Sequence, residues 1–111
     1  MKALVTGSAG QLGRELVSLL GGDVDWAGDL PDLDVTDAAA VTRRMSEVRP
    51  DVVFNATAYN KVDQAETEPD VALAVNALAP RWLATAAREA GALVVHFSTD
   101  YVFDGLASRP Y

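Results

Sequence analysis

The sequence predicts an α/β fold, and three observations carry that prediction. Short apolar runs alternate along the chain with longer segments whose apolar residues recur at helical spacing. A turn with the spacing GxxGxxG, built on Gly7, Gly10 and Gly13, joins the first run to the first helix. A hydroxyl-rich stretch, Ser98–Gly105, follows the fourth apolar run, where α/β folds place their ligands. Together these describe a Rossmann-type parallel sheet with helices on both faces. Right-handed crossovers allow the strand order 3-2-1-4, the first half of a doubly wound sheet, which stops after about four strands.

Each element follows from local chemistry. Lys2–Thr6 is a short apolar strand bounded by Gly7. Gln11–Leu20 carries Leu12, Leu16, Val17 and Leu20 on a helical face, and Gly21-Gly22 ends it. Val24–Gly28 is the second strand, and Leu30–Asp34 is a loop punctuated by Pro31. Thr36 or Asp34 can cap a helix through about Val48 with Val41, Met45 and Val48 on one side; Arg49-Pro50 stops it. Asp51–Asn55 holds the third strand. A polar loop runs from Thr57 to about Glu68. Pro69 suits the first turn of a helix reaching Ala90, ended by Gly91. Pro80 predicts a kink or break near Leu78. Ala92–Phe97 is the fourth strand. No repeat, low-complexity segment or linker interrupts residues 1–111, which read as a single domain.

Composition excludes several function classes. The chain has 111 residues, no cysteine, one histidine and a formal net charge of -7. Without cysteine there is no disulfide framework or thiolate metal site, and one histidine cannot build a zinc site; no metal is expected. The acidic balance disfavours nucleic acid, which needs a basic surface. No apolar run is long enough for a membrane span, and Met1-Lys2 leads straight into the first strand without a secretory signal. The expectation is a cytoplasmic protein. A phosphate-bearing ligand stays compatible with the charge, because backbone N–H groups at a helix N-terminus bind phosphate without any cation.

The glycine turn points to such a ligand. Gly7 makes the tight turn, Gly10 lets a backbone approach a pyrophosphate, and Gly13 permits close helix–strand packing. Asp29 lies near the end of the second strand, at the spacing from Gly7 where an acid bonds the adenosine ribose hydroxyls. No arginine or lysine neighbours Asp29 in the sequence and Leu30 follows it, so NADH is favoured over NADPH. Asp34-Val35 can reach the adenine, and helix capping explains Asp34 equally.

Four further segments belong together: Asn55-Ala56-Thr57-Ala58-Tyr59, Asp63–Pro69, Val75–Pro80 and Ser98–Gly105. In this order and spacing the chain resembles the N-terminal half of the dTDP-4-dehydrorhamnose reductase family, extended short-chain dehydrogenase/reductases. The resemblance covers essentially all 111 residues. It implies that Gly10, Gln11 and Leu12 contact the cofactor pyrophosphate, Asp29 the ribose, and Asp34-Val35 the adenine. It also implies that Ala58, Tyr59 and Asn60 line the nicotinamide half; Asn60 stands where the family often has threonine. Thr99 matches the hydroxyl of the Thr/Ser–Tyr–Lys catalytic set, and Asp100 a substrate-contacting position beside it. The implied cofactor is NADH or NADPH and the implied partner a nucleotide sugar, with a homodimer left open. The implied reaction reduces the 4-keto group of dTDP-4-dehydro-L-rhamnose to give dTDP-L-rhamnose for surface polysaccharide.

Ketone reduction needs hydride delivered to carbon and a proton on the developing alkoxide. A hydroxyl aimed at that oxygen stabilises the charge as it forms, and a tyrosine beside a lysine donates the proton. Thr99 supplies the hydroxyl. The family's Tyr-x-x-x-Lys pair is absent: the only lysines are Lys2 and Lys61, neither four residues after a tyrosine. Residues 1–111 are thus expected to be an incomplete NAD(P)-binding domain that lacks the rest of the sheet and the sugar-binding region. Two other classes stay open. One is a dinucleotide-binding regulatory subunit, as in the methionine adenosyltransferase subunits that resemble this scaffold. The other is an inactive fragment whose fourth strand is a long apolar edge. Blander roles are expected for other groups: His96 as a packed, hydrogen-bonded core residue, Trp82 as packing, and Asp63, Glu66, Glu68 and Asp70 as a solvated acidic loop leading into a helix. For Thr99 the bland alternative is a turn hydroxyl.

Overall fold

β1 (Ala3–Thr6) is buried along its whole length, which suits the middle of a parallel sheet covered on both faces. It takes that place in a computed structural model that describes residues 1–111. β2 (Val24–Gly28) pairs with β1 on one side and β3 (Val52–Asn55) on the other; β4 (Leu93–His96) lies beyond β3. All pairs are parallel, and the register sets Thr6 beside Asn55 and Asn55 beside His96.

The α/β class is as expected, but the strand order differs. The expected order 3-2-1-4 placed the third strand outside the second. The observed order is β2-β1-β3-β4. β2 carries the exposed Asp25 and is only partly buried, so it suits a sheet edge and not a position between two strands. β3 is mostly buried and apolar, and takes the inner place beside β1. Between β2 and the next helix, Leu33 and Val35 are buried in the core without forming a strand.

Reversing direction after β2 distributes the helices. α1 (Gln11–Leu20) packs on β1 and β2. With right-handed crossovers, α2 (Ala38–Val48) and α5 (Ala79–Ala90) fall on the opposite face. There they pack on each other and bury Val41, Met45, Leu83, Ala86 and Ala87 against Leu4 and Val53. Trp82 packs against this core from its margin, as expected. Asp37 is the cap of α2, in place of the expected Thr36 or Asp34. Its carboxylate accepts from the N–H groups of Ala39 and Ala40 at 2.9 and 3.0 Å. Asp34 is occupied one turn earlier, accepting from the N–H and hydroxyl of Thr36.

The polar loop contains a short helix, α3 (Val62–Ala65), and the helix expected over Pro69–Ala90 is three pieces. α4 (Pro69–Leu73) passes into a π-helical turn, Ala74–Leu78, and then into α5. Pro80 has no N–H to offer the carbonyl of Asn76, so an ordinary helical bond is missing there and the wider turn takes its place. α5 ends at Gly91, which adopts a left-handed φ of 73°.

β4 is the other edge. On the face carrying α1 no helix reaches it, so Leu93, Val95 and Phe97 remain 74, 37 and 42% exposed. The histidine expected in the core is also exposed: no strand lies beyond β4 to cover His96.

Candidate functional site

The glycine turn sits over the carboxyl ends of β1 and β3. Gly7 adopts φ +71°, and a Cβ there would lie 2.6 Å from the backbone of Ala56 and Thr57. Glycine is therefore required twice, by conformation and by the approach of the β3 loop. A Cβ on Gly13 would lie 2.7 Å from the Gly7 carbonyl carbon and from Ser8 Cα, so α1 packs directly on the turn. Gly10 is looser, its nearest atom being the Gly7 carbonyl oxygen at 3.3 Å. It is the N-cap of α1 and offers no side chain to the first helical N–H groups. The positive end of the helix dipole at Gln11 and Leu12 thus opens into the cleft described below.

Asp29 leaves β2 toward this turn, and its Oδ2 accepts from the N–H of Ala9 at 3.0 Å. Beside it a small cavity of about 70 Å³ includes Gly7, Leu33, Asp34, Val35 and Thr57 in its wall. The residues expected at the adenosine end are thus brought together, although Asp34 spends one carboxylate oxygen on Thr36.

Thr57 is the residue that sequence reasoning missed. It lines the 70 Å³ cavity and two larger clefts on the same edge, of about 640 and 360 Å³. Its Oγ1 is buried without a hydrogen-bond partner. Its N–H donates to Asn55 Oδ1 at 3.1 Å, and the same oxygen accepts from the Thr6 hydroxyl at 2.8 Å. Those bonds fix the Asn55 amide so that its Nδ2 faces His96 Nδ1 at 3.1 Å. The His96 nitrogen then accepts and the other ring nitrogen carries the proton. A polar ladder, Thr6–Asn55–His96, thereby crosses three strands just below the clefts.

Ala58 and Asn60 line the 640 Å³ cleft together with Gly10, Gln11 and Leu12. Tyr59 turns away from it. Its hydroxyl donates to Glu68 at 3.0 Å, and partial burial, with the Glu68 acceptor and charge, raises the phenol above its ordinary pKa of 10.0. Its backbone is clamped by Asn76, which accepts from the Tyr59 N–H and donates to the Tyr59 carbonyl, both at 2.8 Å. Asn76 lies within the π-helical turn. Only the proline hinted at this clamp; nothing local signalled a contact 17 residues away.

Ser98 lines both larger clefts, and Thr99 lines the 360 Å³ one. Thr99 also does what a turn hydroxyl does. Its Oγ1 accepts from the Tyr101 N–H at 3.2 Å and lies 3.3 Å from Asp100 Oδ1, capping a single 3₁₀ turn over Asp100–Val102. Asp100 is exposed and does not line these clefts. Asp104 closes the motif: it accepts from the Leu106 N–H and the Tyr111 hydroxyl, which hold its carboxyl below the ordinary 3.8.

The three cavities lie along one edge from Asp29 to Thr99, with Thr57 in the wall of each. Residues 1–111 match the family model described as the RmlD substrate binding domain. The chain is 51% identical to a dTDP-4-dehydrorhamnose reductase of Streptomyces griseus over 110 residues, covering 97% of this chain and 36% of that protein. It superposes on a dTDP-4-dehydrorhamnose reductase from Clostridium acetobutylicum with a TM-score of 0.91 and 46% identity, covering all of this chain and 40% of that one. A Bacillus anthracis dTDP-4-dehydrorhamnose reductase, in complex with NADP, gives 0.88 and 40% identity over 97% of this chain and 40% of its own. The chain therefore spans well under half the length of these relatives, and it belongs to the family described as the RmlD substrate binding domain.

Proposed function

We propose that residues 1–111 form the dinucleotide-binding part of a reductase that converts dTDP-4-dehydro-L-rhamnose to dTDP-L-rhamnose with NADH or NADPH. The carrying observation is the continuous edge from Asp29 to Thr99. Three features fit a dinucleotide there: a turn whose Gly10 lines the cleft without a side chain, an α1 N-terminus without a side-chain cap, and a buried Thr57 hydroxyl without a partner. Asp29 takes a ribose hydroxyl with its remaining lone pairs, and the N–H groups at Gln11 and Leu12 take the pyrophosphate. Asp34 and Val35 flank the adenine, with Thr57 beside them, while Ala58 and Asn60 border the nicotinamide half and Tyr59 anchors that loop to Glu68. When bound, the cofactor supplies the hydride for the carbonyl carbon.

Thr99 is the group this chain contributes at the sugar ketone. Its hydroxyl turns from capping the 3₁₀ turn to donating toward the carbonyl oxygen, where negative charge builds. Asp100, exposed beside it, is available to sugar hydroxyls. The proton donor is not among residues 1–111, which have no Tyr-x-x-x-Lys pair. A cytoplasmic site fits a nucleotide-sugar substrate and a soluble dinucleotide; no helix is long and apolar enough to cross a membrane.

The test is a coupled pair of measurements on the full-length protein that contains residues 1–111. Titration with NADH should quench or enhance its fluorescence saturably, and dTDP-4-dehydro-L-rhamnose should then oxidise it. Absence of binding at millimolar cofactor removes the proposal altogether. Binding without turnover favours the regulatory-subunit reading. If turnover is present, Thr99→Val should lower it by roughly a hundredfold with little change in cofactor affinity.

A further inference from the structure

We propose that Arg14 reads the 2′ position of the adenosine ribose and gives the site its affinity for the 2′-phosphorylated dinucleotide, in opposition to Asp29. The inference rests on the dinucleotide reading of the cleft. In the sequence Arg14 belongs to α1 and lies far from Asp29, which is why the acid reads as unaccompanied and NADH as favoured. The fold joins the two through one residue. Helical side chains lean toward the N-terminus, and Arg14 does so: its Nε donates to the Ala9 carbonyl at 2.9 Å. The N–H of the same Ala9 donates to Asp29 Oδ2 at 3.0 Å. A cation and an anion are thus tethered to the two peptide groups of a single turn residue.

The guanidinium is held but not spent. Its side chain makes no other hydrogen bond, and the ion pairs of the molecule are Met1–Asp23, Lys2–Asp25 and Arg44–Glu47. The planar nitrogens beyond Nε remain free, in the geometry that matches a phosphate with two parallel bonds. A 2′-phosphate entering beside Asp29 meets a carboxylate on a chain of net charge -7, and Arg14 is the cation fixed at that point to offset it. A free 2′-hydroxyl needs only the carboxylate. The pair therefore admits both dinucleotides, and each residue favours one of them.

The test is calorimetric titration of the full chain with NADP⁺ and with NAD⁺ separately, in the unmodified protein and in Arg14→Gln, Arg14→Lys and Asp29→Asn. Gln keeps an amide donor for the Ala9 carbonyl without the charge. Arg14→Gln should weaken NADP⁺ roughly tenfold and leave NAD⁺ within about twofold. Arg14→Lys should recover part of the loss, and Asp29→Asn should weaken NAD⁺ while sparing NADP⁺. Equal weakening of both by Arg14→Gln would mean that Arg14 only braces the turn, and the assignment fails, as it does if neither changes. If the unmodified protein binds neither dinucleotide, the reading of the cleft fails first and this inference with it.

Discussion

At the scale of single residues, the glycine turn separates two demands that look alike in the sequence. Gly7 is held by backbone on both sides, whereas Gly10 faces mostly open space. Gly7→Ala should cost about 3 kcal/mol or more, from the left-handed φ and the collision with Ala56 and Thr57. Gly10→Ala should cost about 1 kcal/mol and act mainly on dinucleotide affinity. Chemical denaturation of the two variants separates them, and equal losses would contradict this packing. Asp104 makes a pH prediction. Its folded pKa lies below the ordinary value because Leu106 and Tyr111 donate to its carboxylate. The stabilisation is therefore complete above the ordinary 3.8 and is lost as pH falls through the lower folded value. The Phe103–Tyr111 stack, with centroids 4.2 Å apart, should loosen in that acid window, visible as a change in tyrosine fluorescence that Asp104→Asn produces already at neutral pH. Gly7 and Asp29 were legible in the sequence because their spacing is set by one strand, one turn and one helix. Thr57, Asn76 and Arg14 were not, since each acquires its role from a partner that only the folded chain brings near.

At the scale of elements, helix and strand bounds followed closely from apolar period and punctuation. α1 and β2 lie where periodicity and glycine put them. Pro80 announced an irregularity near Leu78, and the fold resolves it as a π-helical turn instead of a break. That turn carries Asn76 and so holds the Tyr59 loop. Pro80→Ala restores a donor for the Asn76 carbonyl and should let the turn relax toward regular α-helix. The side chain of Asn76 then rotates off Tyr59. Hydrogen exchange should speed at the Tyr59 amide by roughly tenfold, matching one net hydrogen bond, while amides in β1 stay protected. Unchanged exchange at Tyr59 would detach the proline from the clamp. The cap of α2 moved from Asp34 or Thr36 to Asp37 for a similarly local reason: three candidate oxygens lie within four residues, and only geometry decides which one faces the helix N–H groups.

At the scale of the molecule, the alternating pattern settled the α/β class but not the strand order. Direction reverses after β2, and nothing in an apolar count marks a reversal. What marks it is the polar content of β2, which keeps that strand at the rim. Because α1 is then alone on its face, Leu93, Val95 and Phe97 lie exposed, with Phe54 half-buried beside them, on the side of β3 and β4 that it leaves uncovered. The 111-residue chain should therefore self-associate with rising concentration through the β4 edge. Val95→Lys should reduce that association in sedimentation velocity without altering the circular dichroism spectrum; undiminished association would place the contact elsewhere.

The central position of β1 also has a consequence for how the chain is made. Of the four strands, the first to leave the ribosome has neighbours on both sides, and its second neighbour arrives late: the Thr6–Asn55 bond spans 49 residues. During synthesis β1 and β2 can close early as a local unit, but β1 keeps one row of backbone groups unpaired until β3 has emerged. The most buried strand of the sheet thus spends part of its synthesis as an exposed edge, and the brevity of β1, four residues, limits how much sticky edge it presents in that interval.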